Sequence, residues 1–129
     1  MRSSFTSFRF RTTLAEKAAY LIAALAFLAA GSAKLSGAQQ MVDVFAKIGV
    51  GQWFRYVTGI FEVTGAVLLL APSLAGVGAL LLACVMVGAI VAHLTILGGA
   101  PVPPAVLLLI VGAVAWFRRE RTARLLGHR

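Results

Sequence analysis

The chain reads as an all-α integral membrane protein, a four-helix bundle with a short interfacial helix between its first and second spans. Three observations predict this. Of the 129 residues, 60% are hydrophobic and only 12% charged, well outside the composition of soluble domains. The apolar residues fall into four runs, over residues 18–35, 54–71, 75–97 and 103–117. Most of the cations sit at the two ends, Arg2, Arg9, Arg11 and Lys17 before the first run and Arg118, Arg119, Arg121, Arg124 and Arg129 after the last, as the positive-inside rule describes.

Twelve Lys and Arg against four acids, a formal net charge of +8, invites comparison with nucleic-acid binders. Cations gathered mostly at the two ends argue for anionic lipid headgroups instead, so membrane lipids are the expected partners and nucleic acid is not. The single cysteine, Cys84, lies inside the third run and leaves no internal disulfide and no thiolate metal site.

Residues 1–17 form a basic tail with Phe5, Phe8 and Phe10 between the charges. The first span, 18–35, places Ala23, Ala26 and Ala30 on one side and ends at Lys34; such a small-residue ridge permits close packing in lipid. A basic stretch, an apolar stretch and Gly31-Ser32-Ala33 also fit a cleaved signal peptide over residues 1–33. Against that stand the length of the basic stretch and three further spans that need a packing partner.

The next segment, about residues 38–49, is too short and polar to span. Met41, Val44, Phe45 and Ile48 recur at helical spacing opposite Gln40, Asp43 and Lys47, with Asp43 and Lys47 an i, i+4 pair. It reads as an interfacial helix closed by Gly49 and Gly51. Trp53, Phe54 and Tyr56 with Arg55 then form an aromatic girdle where the second span enters the bilayer. On that span Thr58, Glu62 and Gly65 share an inward face. Pro72-Ser73 makes a tight turn into the third span, about 23 residues or about 34 Å of helix. Gly98-Gly99 and the prolines up to Pro104 break it. The last span is short, with proline in its first turn and Arg118 and Arg119 snorkelling at its end. Residues 118–129 are a second basic tail. Four spans put both termini on one side, and the charge bias makes that side cytoplasmic.

This topology turns scattered polar residues into a candidate site. Glu62 lies about 13 Å inward from Trp53, where a carboxylate costs several kcal/mol unless protonated, paired or wet. Lys34 and His93 occupy the same half of the bilayer and can reach it, with Thr58 as a further hydroxyl. Lys34, Glu62, His93 and Thr58 are therefore the candidate ligand-binding residues or polar network. The spacing leaves three readings open: a polar cluster that pins helix register; a pocket with apolar walls from Phe27, Phe61, Met86 and Leu97 for a lipid-like ligand; or a proton-carrying pair. No second His, Cys or acid stands three or four residues from His93, so no metal site is expected.

FLAAGSAKL (residues 27–35), VFAKIGV, WFRYVTGIFEVTGAVLLLAPSLAGVGA and AHL (residues 92–94) together resemble the DoxX-like family of small four-helix integral membrane proteins, over roughly residues 20–117. Gly31, Lys34 and Glu62 match that family's most recognisable positions. The resemblance implies a bundle in the bacterial inner membrane linked to quinone-linked oxidoreductase complexes; related bundles act as cargo receptors or assembly chaperones. The paired cysteines of thiol-handling relatives are missing, which speaks against a direct disulfide role.

The leading expectation is thus a non-catalytic subunit or assembly factor of a membrane redox system, with a quinone or lipid near Glu62 as its possible cofactor and redox-complex subunits as partners. No cofactor fingerprint or nucleophile with an adjacent base argues for catalysis by this chain alone. A small proton-coupled transporter working as a dimer is the alternative, and rests on Glu62. Gly88 and Ala92, like the alanine ridge, serve packing within one chain or in a homo-oligomer equally well.

Overall fold

In a computed structural model, the backbone of residues 2–127 and the side chains of residues 14–127 are described. Helices make up the ordered backbone: α1 (Arg2–Ser36), α2 (Gln39–Ile48), α3 (Gln52–Leu70), α4 (Ala75–Ala92), a π-helical turn (His93–Leu97) continuing α4, α5 (Val102–Phe117) and α6 (Arg119–Leu125). No strand occurs among the described residues.

The four long helices lie in sequence, α1 against α3, α3 against α4 and α4 against α5, with light contact between α1 and α5. Their shared core sets small side chains among larger ones: Ala23, Ala24 and Phe27 of α1, Ala66 and Leu69 of α3, Ala79, Leu82 and Met86 of α4, and Val111 and Val114 of α5. Small residues let backbones approach, which in lipid maximises van der Waals contact. The α3–α4 crossing is the clearest case: a Cβ on Gly78 would lie 2.7 Å from the Gly65 carbonyl oxygen. Outward, Leu21, Ile22, Leu25, Ile60, Val67, Leu80, Val87 and Leu109 are exposed, an apolar exterior suited to hydrocarbon and not to water.

Three helical stretches are long and apolar enough to cross a membrane, Leu14–Ser36, Gln52–Leu70 and Ala75–Leu97. The fourth is short. Val102–Phe117 has 16 residues, about 24 Å of helix against a hydrocarbon core of about 30 Å. Its continuation Arg119–Leu125 turns away by 70°. Residues 118–125, expected as tail, thus form a bend and a short helix. That helix is seated against the start of α4, with Thr122 buried where a Cβ on Gly76 would overlap its hydroxyl. At the other end of the chain α1 is continuous from Arg2, so the basic residues before the first apolar run are on the same helix as that run.

Both ends of the bundle are tied by side chains. At the end that carries the chain termini, Arg118 Nε donates to the Tyr20 hydroxyl at 3.2 Å, joining α5 to α1. At the other end α1 closes with Gly37 in the left-handed region (φ +77°) and the Ala38 N–H bonded to the Ala33 carbonyl at 3.0 Å, the Schellman arrangement that lets glycine terminate a helix. Helix α2 lies across this end, its Phe45 buried and its rim joined to α3 by Gln52 Nε2 donating to the Val42 carbonyl at 3.0 Å.

Candidate functional site at the crossing of α1 and α3

Helix α3 buries the stripe Arg55, Gly59, Glu62, Ala66 and Leu69, with Gly65 beside it, a spacing of three and four residues that faces one side of a helix. Glycine at 59 lets α1 approach. A Cβ there would lie 3.1 Å from both the Gly31 carbonyl oxygen and the Lys34 Cβ. A Cβ on Gly31 would in turn lie 2.9 Å from the Gly59 carbonyl oxygen and 3.2 Å from the Glu62 Cβ. The chemistry sits on this crossing.

Lys34 Nζ lies 2.7 Å from Glu62 Oε1, the one ion pair within 4 Å among the described residues. The Glu62 side chain is 1% exposed and that of Lys34 14%. Neither carboxylate oxygen receives a directed hydrogen bond, and the ammonium sits against Oε1. Oε1 still has the ammonium in contact, so the pairing stands and the true orphan is Oε2. A buried carboxylate oxygen without a donor is an exception to the rule that such groups are satisfied, and an ionised carboxylate accepts only. The position calls for an N–H or O–H donor, or for a proton.

Above the pair sits a residue that the sequence reading placed in the aromatic girdle. Arg55 is 5% exposed and turned inward. Its Nε donates to Gln52 Oε1 at 2.8 Å, one terminal nitrogen donates to the Lys34 carbonyl oxygen, and its guanidinium lies 4.3 Å over the Tyr56 ring. The Lys34 carbonyl belongs to the last turn of α1, where helix carbonyls lack partners and the macrodipole favours a cation. Arg55 thereby caps α1 at the residue whose side chain carries the ammonium. A signal existed for it: Arg55, Gly59 and Glu62 follow the i, i+4, i+7 period.

The remaining candidates are placed apart from the pair. His93 Nδ1 lies 2.9 Å from the carbonyl of Ala89 in its own helix, so that nitrogen carries the proton. The imidazole borders an open groove shared with Gln40, Asp43, Val44 and Lys47 of α2. No ring nitrogen lies within 4 Å of a Glu62 carboxylate oxygen. The π turn that begins at His93 widens the helix there and ends on the Gly98 N–H, bonded to the His93 carbonyl at 2.9 Å. Thr58 turns to its own backbone, its hydroxyl donating to the Phe54 carbonyl at 2.8 Å. Of the expected apolar walls, Phe27 and Met86 are buried in the core, Phe61 is 45% exposed and Leu97 borders the α2 groove. Asp43 and Lys47 do not close an ion pair; Asp43 Oδ1 accepts from Gln39 Nε2 at 2.8 Å instead. Among the described residues no three His, Cys, Asp or Glu side chains are grouped to hold a metal ion.

An apolar exterior, spanning helices and a buried Lys–Glu pair at a glycine crossing define a small helical membrane protein. The chain belongs to the DoxX-like family, whose profile matches residues 18–117. The matched stretch runs from the start of the long apolar run of α1 to the end of α5 and holds Gly31, Lys34, Gly59 and Glu62. No curated protein and no solved structure matches the chain.

Proposed function

We propose that this protein is a non-catalytic subunit or assembly factor of a quinone-linked redox system in the bacterial inner membrane, and that its Lys34–Glu62 pair receives the polar head of a quinone or other small lipid. The observation that carries this reading is Oε2 of Glu62, buried beside an ammonium and without a donor. An ammonium that can donate to a carbonyl, next to a carboxylate oxygen that can accept from a hydroxyl, is the complement of a head bearing one of each. Hydroquinones and their half-oxidised forms present that pattern. The partial exposure of Lys34 gives the approach, and bilayer hydrocarbon supplies the apolar surroundings that such sites otherwise build from side chains. The link to redox complexes rests on the family's name. In this reading the arginine-rich α5–α6 end faces the cytoplasm, following the positive-inside rule, and α2 with the Lys34–Glu62 half faces outward.

Native mass spectrometry of the protein in mild detergent, wild type beside Glu62→Gln, tests it. A co-purified quinone or lipid of defined mass, retained by wild type and lost from the variant, is the expected result. Equal and empty spectra would refute the site and leave the pair a packing device.

A further inference from the structure

The bend between α5 and α6 assembles a second polar feature, at the opposite end of the molecule from α2. An open groove of about 420 Å³ is lined by Phe117, Arg118, Glu120, Arg121 and Arg124. All four acids of the chain, Glu16, Asp43, Glu62 and Glu120, lie among the described residues, yet none comes within 4 Å of these guanidinium groups. Arg118 is engaged with a neutral partner, the Tyr20 hydroxyl and ring. Arg121 and Arg124 are exposed, three residues apart and so on one side of α6. Among the described residues, three cations with one nearby carboxylate leave a local charge of about +2, a repulsion that a bound anion relieves.

The surroundings say where that anion resides. Helix α6 leaves the α5 axis at 70°, so with α5 along the bilayer normal it runs nearly in the membrane plane. The bend is fixed by the buried Thr122, whose hydroxyl donates to the Arg118 carbonyl at 2.9 Å and whose side chain fills the space above Gly76. Trp116 and Phe117, exposed just before the bend, are the amphipathic or bulky aromatics that settle at headgroup level. Guanidinium groups bind phosphate oxygens in a bidentate fork, and basic pockets at the cytoplasmic ends of helices recognise anionic headgroups.

The geometry points to a headgroup site for an anionic phospholipid in the α5–α6 groove, its phosphodiester held by Arg121 and Arg124. A lipid with a net negative charge is selected over a zwitterionic one because the groove has a surplus of cations and a single acid. The site is separate from the Lys34–Glu62 crossing and independent of what binds there.

The test titrates the full-length protein in uncharged detergent with phosphatidylglycerol, and separately with phosphatidylcholine, counting retained lipids by native mass spectrometry. Wild type is expected to retain phosphatidylglycerol in preference. Arg121→Gln/Arg124→Gln should weaken that retention by about thirty-fold, from about one tenfold step or slightly less per arginine near an anionic surface. Both side chains are exposed, so folding is not at stake; unchanged helical circular dichroism confirms it. Lys47→Gln removes an exposed cation elsewhere and should leave retention as in wild type. Equal retention of the two lipids, an unaffected double variant, or an equal loss in Lys47→Gln would each overturn the site. Inorganic phosphate at millimolar concentration should fail to displace the lipid. Displacement by it would show a free-phosphate site and overturn the lipid assignment.

Discussion

Gly31 and Gly59 face each other where α1 and α3 cross, each within reach of the other's carbonyl oxygen if a Cβ were added, at 2.9 and 3.1 Å. Lys34 follows Gly31 by three residues and Glu62 follows Gly59 by three. Because the helices run antiparallel, the Lys34 Cβ stands opposite Gly59 and the Glu62 Cβ opposite Gly31. The ion pair therefore bridges diagonally over the point of closest backbone approach. The glycines set the distance, and the charges occupy the place the distance creates.

Gly31→Ala should therefore act on both. Its methyl would meet Val63 Cγ2 at 2.7 Å and the Gly59 backbone at 2.9 Å, and the backbone contact cannot be relieved by a rotamer change. Forcing the helices apart should cost about 1–3 kcal/mol, as overpacking does in cores. Thermal unfolding in detergent should show a midpoint several degrees below wild type. Gly112→Ala, where an added Cβ meets nothing within 4 Å, should leave the midpoint unchanged or slightly raised, since alanine favours helix. Equal effects at the two positions would show that the α1–α3 crossing has room for a methyl group.

Removing one member of the ion pair should be worse than removing both. Lys34→Met leaves the Glu62 carboxylate buried without compensation, a loss of about 3–5 kcal/mol for a broken buried pair. Lys34→Met/Glu62→Leu replaces both charges with apolar side chains and should recover most of that loss. The comparison is read from denaturant titrations in one detergent, as a double-mutant cycle. Additive losses in the double variant would mean that the two groups do not depend on each other.

Arg55 carries a prediction about local order. Its fork joins Gln52, the Lys34 carbonyl and, through Gln52, the Val42 carbonyl of α2. Lysine cannot reproduce two directed bonds from one planar head. Arg55→Lys should leave the last turn of α1 under-capped, at a cost of about 1.5–3 kcal/mol for a hydrogen bond to a charged group. The Ala38 amide, bonded to the Ala33 carbonyl, should then exchange hydrogen faster by deuterium-uptake mass spectrometry, with the middle of α3 unaltered.

The helices were legible in the sequence because long apolar runs, aromatic girdles and Gly/Pro breaks are local signals. The Lys34–Glu62 contact was legible too, since an acid in mid-bilayer demands a partner and few cations were within reach. What was not legible depended on tertiary neighbours. Arg55 sits among Trp53, Phe54 and Tyr56, all exposed, and turns inward because the end of α1 presents an unpaired carbonyl beside it. The α5–α6 bend needed Thr122 to find space above Gly76, and a basic run after an apolar one carries no trace of that. His93 shares the depth of Glu62 along the sequence, but depth does not fix which way a helix turns, and the imidazole borders α2.

His93 supplies the last test. Its ring is bonded to the Ala89 carbonyl and borders α2, so it should be energetically independent of the pair at the α1–α3 crossing. His93→Ala removes a hydrogen bond and some packing against α2, and should destabilise by about 1 kcal/mol. Combined with Glu62→Gln, its effect should add to within about 0.5 kcal/mol, the behaviour of sites with no shared partner. A coupling of 1 kcal/mol or more would place the imidazole in contact with the carboxylate in some populated state of the protein. In that case the π turn at residues 93–97 would be the element that moves, because it is the one stretch of α4 whose hydrogen bonding departs from the α-helical pattern, and such turns mark sites where helices change register.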